Sequence, residues 1–367
     1  MKYNRKLKIL HFVYDHPDNP WVGGGGALRT WAVNNILSKR HDITVMCGAF
    51  PEALNQEKPF KVSFLGKAKN YLESRLKFIW QSRSIDFKPY DIIVEEFSYY
   101  APIFSRFSKK PAVTIIQSNH GFKALNYHPF YGWISIITQY FLLPQRKSVI
   151  LVSEHLRSAI SHKTLISIIP QGADIPDNLP SDSQDYVLYL GRLDVQIKGL
   201  DILIKAWSQI PSNLSDTFPL YIAGGGDEDK VFELINLTGA KNVRLIGRLD
   251  HNDAMAAIRK AVFLCVPSRM EGSPVVIYEA FALGKPIIGN SIPALKDVVP
   301  HGKAGILVPL ENSLAFKRAI EMLLTDAKLR LHLSKGAAQL GKEFNWDKIA
   351  EKQEEFYFKT ANIFYNK

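Results

Sequence analysis

Apolar residues along this chain come in two rhythms. Short runs rich in β-branched residues alternate with longer stretches whose apolar positions recur every three or four residues. "LKILHFVY", "DITVMC", "DIIVEE", "AVTIIQS" and "KSVILVS" predict strands, and "ALRTWAVNNILSKR" predicts a helix between the first two. The pattern then breaks at "IIPQGADIPDNLPSDSQD", Ile168 to Asp185, whose Pro, Gly, Asp and Ser predict an interdomain linker. It restarts with strand "YVLYLG", helix "KGLDILIKAWSQI", strand "FPLYIAGGG", helix "EDKVFELINLTG", strand "NVRLIG", helix "HNDAMAAIRKA" and strand "VFLCVPS". A helix near "SPVVIYEAFALG", the runs "PIIGN" and "GILVP", and C-terminal helices follow. Such alternation predicts an α/β chain with two doubly wound, Rossmann-like domains, divided as 1–175 and 176–345. Ligands bind such sheets at the carboxyl ends of the strands, so a cleft between the domains is where chemistry is expected.

Composition excludes several classes. The chain is 46% apolar and 22% charged, which is globular. Cys47 and Cys265 each end an apolar run and read as buried residues of a reduced, cytoplasmic protein. The N-terminus reads as a first strand, not a signal peptide, and no apolar run is long enough to span a bilayer. The net charge of +11 is uneven. Residues 1–180 hold 23 Lys/Arg and 13 Asp/Glu, a net of +10, and residues 181–367 hold 23 and 22, a net of +1. An anionic partner for the first half is one reading and a solvated surface is the other.

Three loops carry candidate chemistry. "WVGGGGALRTW" sets Gly23 to Gly26 before a helix, where bare backbone admits ligand oxygens or provides a hinge. A dinucleotide fingerprint fits poorly, because Arg29 stands where its last glycine belongs and "DITVMCGAF" lacks the acid. "GRLDVQIKG" places Arg192 and Lys198 at a helix start, where cations are unfavourable unless an anion is shared there. The alternative is a surface salt bridge to Asp194 or Asp201. "IIQSNHGFKA" sets His120 just after a strand, suited to hydrogen bonding or proton work. His11 and His16 have no matching carboxylate or thiol spacing, so no metal site is expected.

Together with "AGGGDE", "VRLIGRLD" and above all "EGSPVVIYEA", these loops resemble the retaining glycosyltransferases of GT-B fold often called family 4. The likeness covers most of residues 7–360, is close from Tyr186 to Gly289 and is diffuse from Glu52 to Arg106. It implies a nucleoside-diphosphate sugar held by the second domain and an acceptor received by the first. "EFNWDKIAEKQEEFYF" resembles the family's terminal helix, which would return residues 346–367 to the first domain.

The resemblance further implies that Arg192 and Lys198 neutralise the diphosphate, Arg248 lies near the base and Glu279 accepts from the ribose. Glu271 would sit by the sugar, with Gly272, Ser273, Pro274 and Val275 presenting N–H groups nearby. His120 would touch the transferred sugar, and Gly24, Gly25 and Gly26 the diphosphate and acceptor. Glu271 and Glu279, eight positions apart, also suggest glycoside hydrolysis, but a hydrolase needs no diphosphate cradle. Cationic side chains would then serve in place of a metal, and no cofactor is expected.

The acceptor side is less explicit. "AKNYLESRLKFIWQSRSIDFK" carries Lys69, Arg75, Lys77, Arg83 and Lys88 with Leu72, Leu76, Ile79 and Trp80 at helical spacing. Such a helix either lies on anionic lipid or packs on its own sheet. "YHPFYGWISIITQYFLL" is buried or lines a lipid-acceptor groove. A saccharide or lipid-linked acceptor in surface polysaccharide or lipopolysaccharide synthesis would fit, with the protein peripheral on the inner face of the cytoplasmic membrane. Nucleic acid is not expected, since Trp80 and Tyr99 alone make no stacking platform. Other GT-B reactions (epimerisation, phosphorolysis, glucan synthesis) and a non-catalytic nucleotide-sugar sensor remain alternatives.

Overall fold

The computed structural model describes residues 5–21, 24–97, 108–118, 132–176, 179 and 185–366. Its internal contacts divide the chain into Met1–Gln171 with Trp346–Lys367, and Gly172–Asn345. The division falls four residues before the one expected from the Pro- and Gly-rich break. Ile169 and Gln171 are buried, and Gln171 bonds to Gln117 of the first unit, whereas the Ala173 N–H donates to Phe344 of the second.

The first unit is a seven-stranded parallel sheet: β1 Lys8–Phe12, β2 Asp42–Gly48, β3 Lys61–Leu65, β4 Ile92–Glu96, β5 Ala112–Ile116, β6 Ser148–Leu151 and β7 Leu165–Ile168. Their order is β3-β2-β1-β4-β5-β6-β7, so the winding reverses between β1 and β4. Side chains alternate across the sheet. Ile9 packs with Val33 and Leu37 of helix α1 (Gly25–Leu37) and with Ile349 and Tyr357 of the C-terminal helix Trp346–Tyr365. Leu10 and Phe12 face the other way, onto Phe78 of α2 (Tyr71–Ser82). β3 and β7 are absent from the strand pattern read off the sequence. Both are edge strands with half-covered side chains, so neither shows the continuous apolar run of a central parallel strand.

The second unit is a six-stranded parallel sheet: β8 Val187–Leu190, β9 Leu220–Ala223, β10 Val243–Gly247, β11 Phe263–Val266, β12 Ile287–Asn290 and β13 Gly305–Val308. The order β10-β9-β8-β11-β12-β13 reverses between β8 and β11. Val187 and Tyr189 point to one face with Leu200, Leu203 and Trp207 of α3 (Leu200–Trp207). Leu188 points to the other with Ile258 of α4 (His251–Lys260) and Ile277 and Phe281 of α5 (Val275–Ala282). Both units are thus Rossmann-like, with helices on both faces of a parallel sheet. Cys47 and Cys265 are buried free thiols. No described helix is long and apolar enough to cross a membrane.

Helix α2 does not pack its apolar stripe on the sheet, one of the two readings of its spacing. Ser74, Phe78 and Ser82 face inward, while Leu72, Leu76 and Trp80 are 48%, 60% and 72% exposed. These three recur at i, i+4 and i+8 and form one stripe pointing away from the sheet. The cations of this segment are not equivalent. Arg75 lies over the rings of Tyr14 and Tyr71, and Lys77 pairs with Glu73 at 2.6 Å. Arg83 lies over Trp80, at the end of the exposed stripe.

Candidate active site

In the second unit the loops after β8 and β11 meet where the winding reverses. The β8 loop is a tight structure made by its own side chains. Asp194 accepts from the Ile197 N–H at 2.8 Å through its carboxylate and from the Lys198 N–H at 2.9 Å through its carbonyl. The Tyr189 hydroxyl donates to the Arg192 carbonyl at 2.7 Å. Burial first, then the charges of Glu271 and Asp194, push that phenol up, so it remains a neutral donor. Gly199, which precedes α3, has φ +67°, and a Cβ there would lie 2.0 Å from the Pro267 carbonyl oxygen. Only glycine allows the β8 and β11 loops to approach so closely.

Across this contact Lys198 Nζ donates to Glu271 Oε1 at 2.7 Å. The Ser268 hydroxyl donates to the same oxygen at 2.6 Å. Neither partner is freely solvated, with side chains 21% and 10% exposed. The sequence reading gives these two residues to different parts of a ligand, and the structure pairs them directly. Among the described residues the exposed Arg192 side chain pairs with Asp194, at 3.4 Å. Asp201 does not pair with Arg192 or Lys198. It pairs with Arg269, whose nitrogens donate to both its oxygens at 2.8 and 2.7 Å.

Glu279 is the fifth residue of α5, just over one turn into the helix, and Pro274 is its N-cap residue. Ser273 and Tyr278 hydroxyls lie 3.0 Å apart, Gly272 and Ser273 are half-buried in the loop, and Val275 opens the helix. Burial raises the Glu279 carboxyl to about 7. Its neighbour His251 stands 3.7 Å away, beyond hydrogen-bond range. Arg248 is exposed and lies beside Gly225, in the glycine run after β9. That run folds onto the β8 loop: Leu193 N–H donates to Gly225 O, Asp227 N–H to Leu193 O, and a Cβ at Gly224 would lie 1.8 Å from Gly191 O. Loops after β8, β9, β10 and β11 therefore converge at one end of the sheet.

In the first unit the described part of the glycine loop needs no left-handed backbone. None of Gly24, Gly25 and Gly26 has a positive φ. A Cβ at Gly26 would meet the Gln117 side chain at 2.9 Å, so that glycine makes room for an internal residue. Around Gly24 there is open space. Gln117 Nε2 donates to Glu96 at 2.8 Å and to Gly26 O at 3.3 Å, and Thr30 donates to Glu96 at 2.8 Å. Burial would raise Glu96, but the His11 contact and the charges of His11 and Arg29 hold it below the usual carboxylate range. Arg29 is itself fully buried and donates to Ile169 O. His120 lies outside the described residues, as does Tyr99. Among the described residues no group of three His, Cys, Asp or Glu is placed to hold a metal ion.

The model of glycosyl transferases group 1 matches residues 171–340, the second unit almost end to end. Over residues 171–340 the chain is similar to the glycosyl transferases group 1 family. Among relatives of the group 1 segment is the phosphatidyl-myo-inositol mannosyltransferase of Mycobacterium leprae, 31% identical over 193 residues, 50% of each chain. The chain spans about half the length of the curated relatives it matches. Two solved structures share the fold over nearly the whole chain. Anabaena Alr3699/HepE in complex with UDP and glucose has TM-score 0.75 and 20% identity, covering 95% of this chain and 98% of that one. WaaG, a glycosyltransferase involved in lipopolysaccharide biosynthesis, has TM-score 0.73 and 15% identity, covering 95% and 99%. The chain thus has two parallel-sheet, Rossmann-like domains, a fold of the GT-B type.

Asp194, named from the sequence as a possible partner of Arg192, is that partner. Sequence reasoning missed Tyr189 and Ser268, which hold loop geometry through short-range bonds that have no spacing signature. Arg269 was visible only as the residue two before Glu271.

Proposed function

We propose that the chain is a retaining glycosyltransferase. It moves a sugar from a nucleoside diphosphate, UDP or GDP, to a saccharide or lipid-linked saccharide in cell-surface polysaccharide or lipopolysaccharide synthesis. The observation that carries this reading is the Lys198–Glu271 pair spanning the β8/β11 reversal, with Glu279 one turn into the next helix. A phosphate arriving at Lys198 competes with Glu271 for a cation already held in a half-buried position. Lys198 and Arg192 are the counter-charge for the diphosphate, which in this reading needs no metal.

In the reaction the bond from sugar C1 to the diphosphate oxygen breaks and a bond from C1 to the acceptor oxygen forms. The acceptor's hydroxyl proton passes to the departing phosphate, so atoms and charge balance. Glu271, released from Lys198, accepts from sugar hydroxyls, and Glu279 accepts from ribose hydroxyls. Arg248 borders the base, Gly272 to Val275 present backbone N–H groups, His120 contacts the sugar, and Gly24, with open space around it, admits the donor or acceptor. The mannosyltransferase relative named for a phosphatidylinositol, the neighbour solved with UDP and glucose, and the neighbour named for lipopolysaccharide biosynthesis support the direction of this reading. Incubation with a panel of UDP-, GDP- and ADP-sugars, reading release of the nucleoside diphosphate, tests it. One base and sugar should stand out, and no release above background from any donor overturns it.

A lipid-linked acceptor places the protein on the cytoplasmic face of an anionic membrane, and the outer stripe of α2 supports that contact. Its apolar side chains end at Arg83, and residues 1–180 carry the +10. Because Lys77 is already paired, the decisive variant alters the stripe: Leu76→Glu with Trp80→Glu should abolish co-sedimentation with phosphatidylglycerol vesicles while the far-UV spectrum is retained. Unchanged co-sedimentation rules the contact out.

A further inference from the structure

Arg269 stands between the β11 loop and the β8 loop without being one of the residues assigned to the ligand. Its backbone N–H donates to Ile197 O at 2.9 Å, and its guanidinium donates to Gln196 O at 2.8 Å and Val195 O at 3.4 Å. The same guanidinium forks onto Asp201, in the first turn of α3, and onto Glu311, between β13 and the next helix. One residue thus grips the three residues before Lys198, Ile197 through its backbone N–H and Val195 and Gln196 through its guanidinium, and the helix that begins after it. Glu311 gives a second, independent sign. Its backbone has φ +61°, a left-handed conformation that a glutamate rarely adopts, and its carboxylate closes on Arg269 there. Two carboxylates around one arginine, 26% exposed, exceed what the charge balance of a surface pair requires.

We propose that Arg269 is a positioning residue for the diphosphate. It fixes the Val195–Lys198 turn so that Lys198 is presented at the β8/β11 reversal, and it does not itself touch the donor. The proposal rests on the nucleotide-sugar reading of this site. Only arginine can meet the geometry, because two carboxylates and two carbonyls need a planar fork of donors, and lysine offers a single point charge. The nucleoside end of the donor, which Glu279 and Arg248 would hold, lies on other elements and should be indifferent to Arg269.

That difference supplies the test. Parent, Arg269→Met and Arg269→Lys proteins are titrated with UDP, GDP and ADP by calorimetry, and with the matching nucleosides by ligand-observed NMR. Arg269→Met should weaken diphosphate binding about tenfold or more while nucleoside binding is unchanged, since a displaced charged group loses that much. Arg269→Lys should fall between them, and amide hydrogen exchange at Val195–Lys198 should quicken in the same order. Equal diphosphate affinity in parent and Arg269→Met overturns the proposal. So does a parallel loss of diphosphate and nucleoside binding, which marks a general brace. If Arg269→Met does not fold, the same ratio in Arg269→Lys decides. A parent that binds none of the three diphosphates defeats the nucleotide-sugar reading itself, and this role with it.

Discussion

Replacing Lys198 with alanine should lower kcat about a hundred- to a thousandfold while the protein still unfolds in one cooperative, modestly earlier transition. The magnitude is that of removing one preorganised donor from a developing anion. Lys198 meets Glu271 at 2.7 Å across the β8/β11 reversal, so its charge is held in place before any ligand arrives. The loss should be in turnover more than in KM, because charge on the departing diphosphate is greatest in the transition state. Stability should fall by about 1–3 kcal/mol, because Glu271, only 10% exposed, keeps the Ser268 hydroxyl but loses its counter-charge, and a lysine only 21% exposed buries most of its stem. Steady-state kinetics with the donor found in the panel, beside a denaturant melt, checks this. Unchanged kcat removes Lys198 from the mechanism.

Glu279→Gln should do the opposite to stability. Burial holds this carboxyl near 7 against 4.5 in the unfolded chain, a gap worth about 3 kcal/mol. The folded state binds the extra proton between those values. Stability from this group is therefore full below about 4.5 and is lost as pH rises toward 7. Glutamine removes the buried charge, so at pH 8 the variant should be more stable than the parent by up to about 3 kcal/mol, and equal to it near pH 4.5. Function moves the other way. Only the ionised carboxylate accepts from two ribose hydroxyls, so parent nucleoside affinity should strengthen as pH rises through 7, and the variant should bind weakly at every pH. Urea unfolding at pH 5 and 8, paired with nucleoside titrations, reads both effects. Equal stability at pH 8 shows that Glu279 is not a stored cost at a binding site.

The two folds were legible because buried parallel strands write themselves as apolar runs, and eleven of the thirteen strands are such runs or close to them. β3 and β7 escaped because an edge strand is half-covered and needs no continuous run. The positions of Lys198, Glu271 and Glu279 were legible from motif and loop placement. The pairing of Lys198 with Glu271 was not, because the residues are 73 positions apart and meet only when β8 lies beside β11. Arg269 was hidden for the same reason, with partners at Asp201 and Glu311 on separate elements. Helix α2 shows the limit of periodicity. Spacing marked Leu72, Leu76, Ile79 and Trp80 together but did not say which way they point: Leu72, Leu76 and Trp80 face outward, while Ile79 packs beside Phe78 on the inner face with two serines.

Whether the carboxyl ends of β8 to β11 form a nucleoside-diphosphate site built on Lys198 is decided by calorimetric titration of UDP, GDP and ADP into the parent and into Lys198→Ala. One diphosphate should bind the parent, and its affinity should fall at least tenfold in the variant, as loss of a charge-assisted contact requires. Binding of equal strength to both proteins, or no binding of any of the three to the parent, would contradict it.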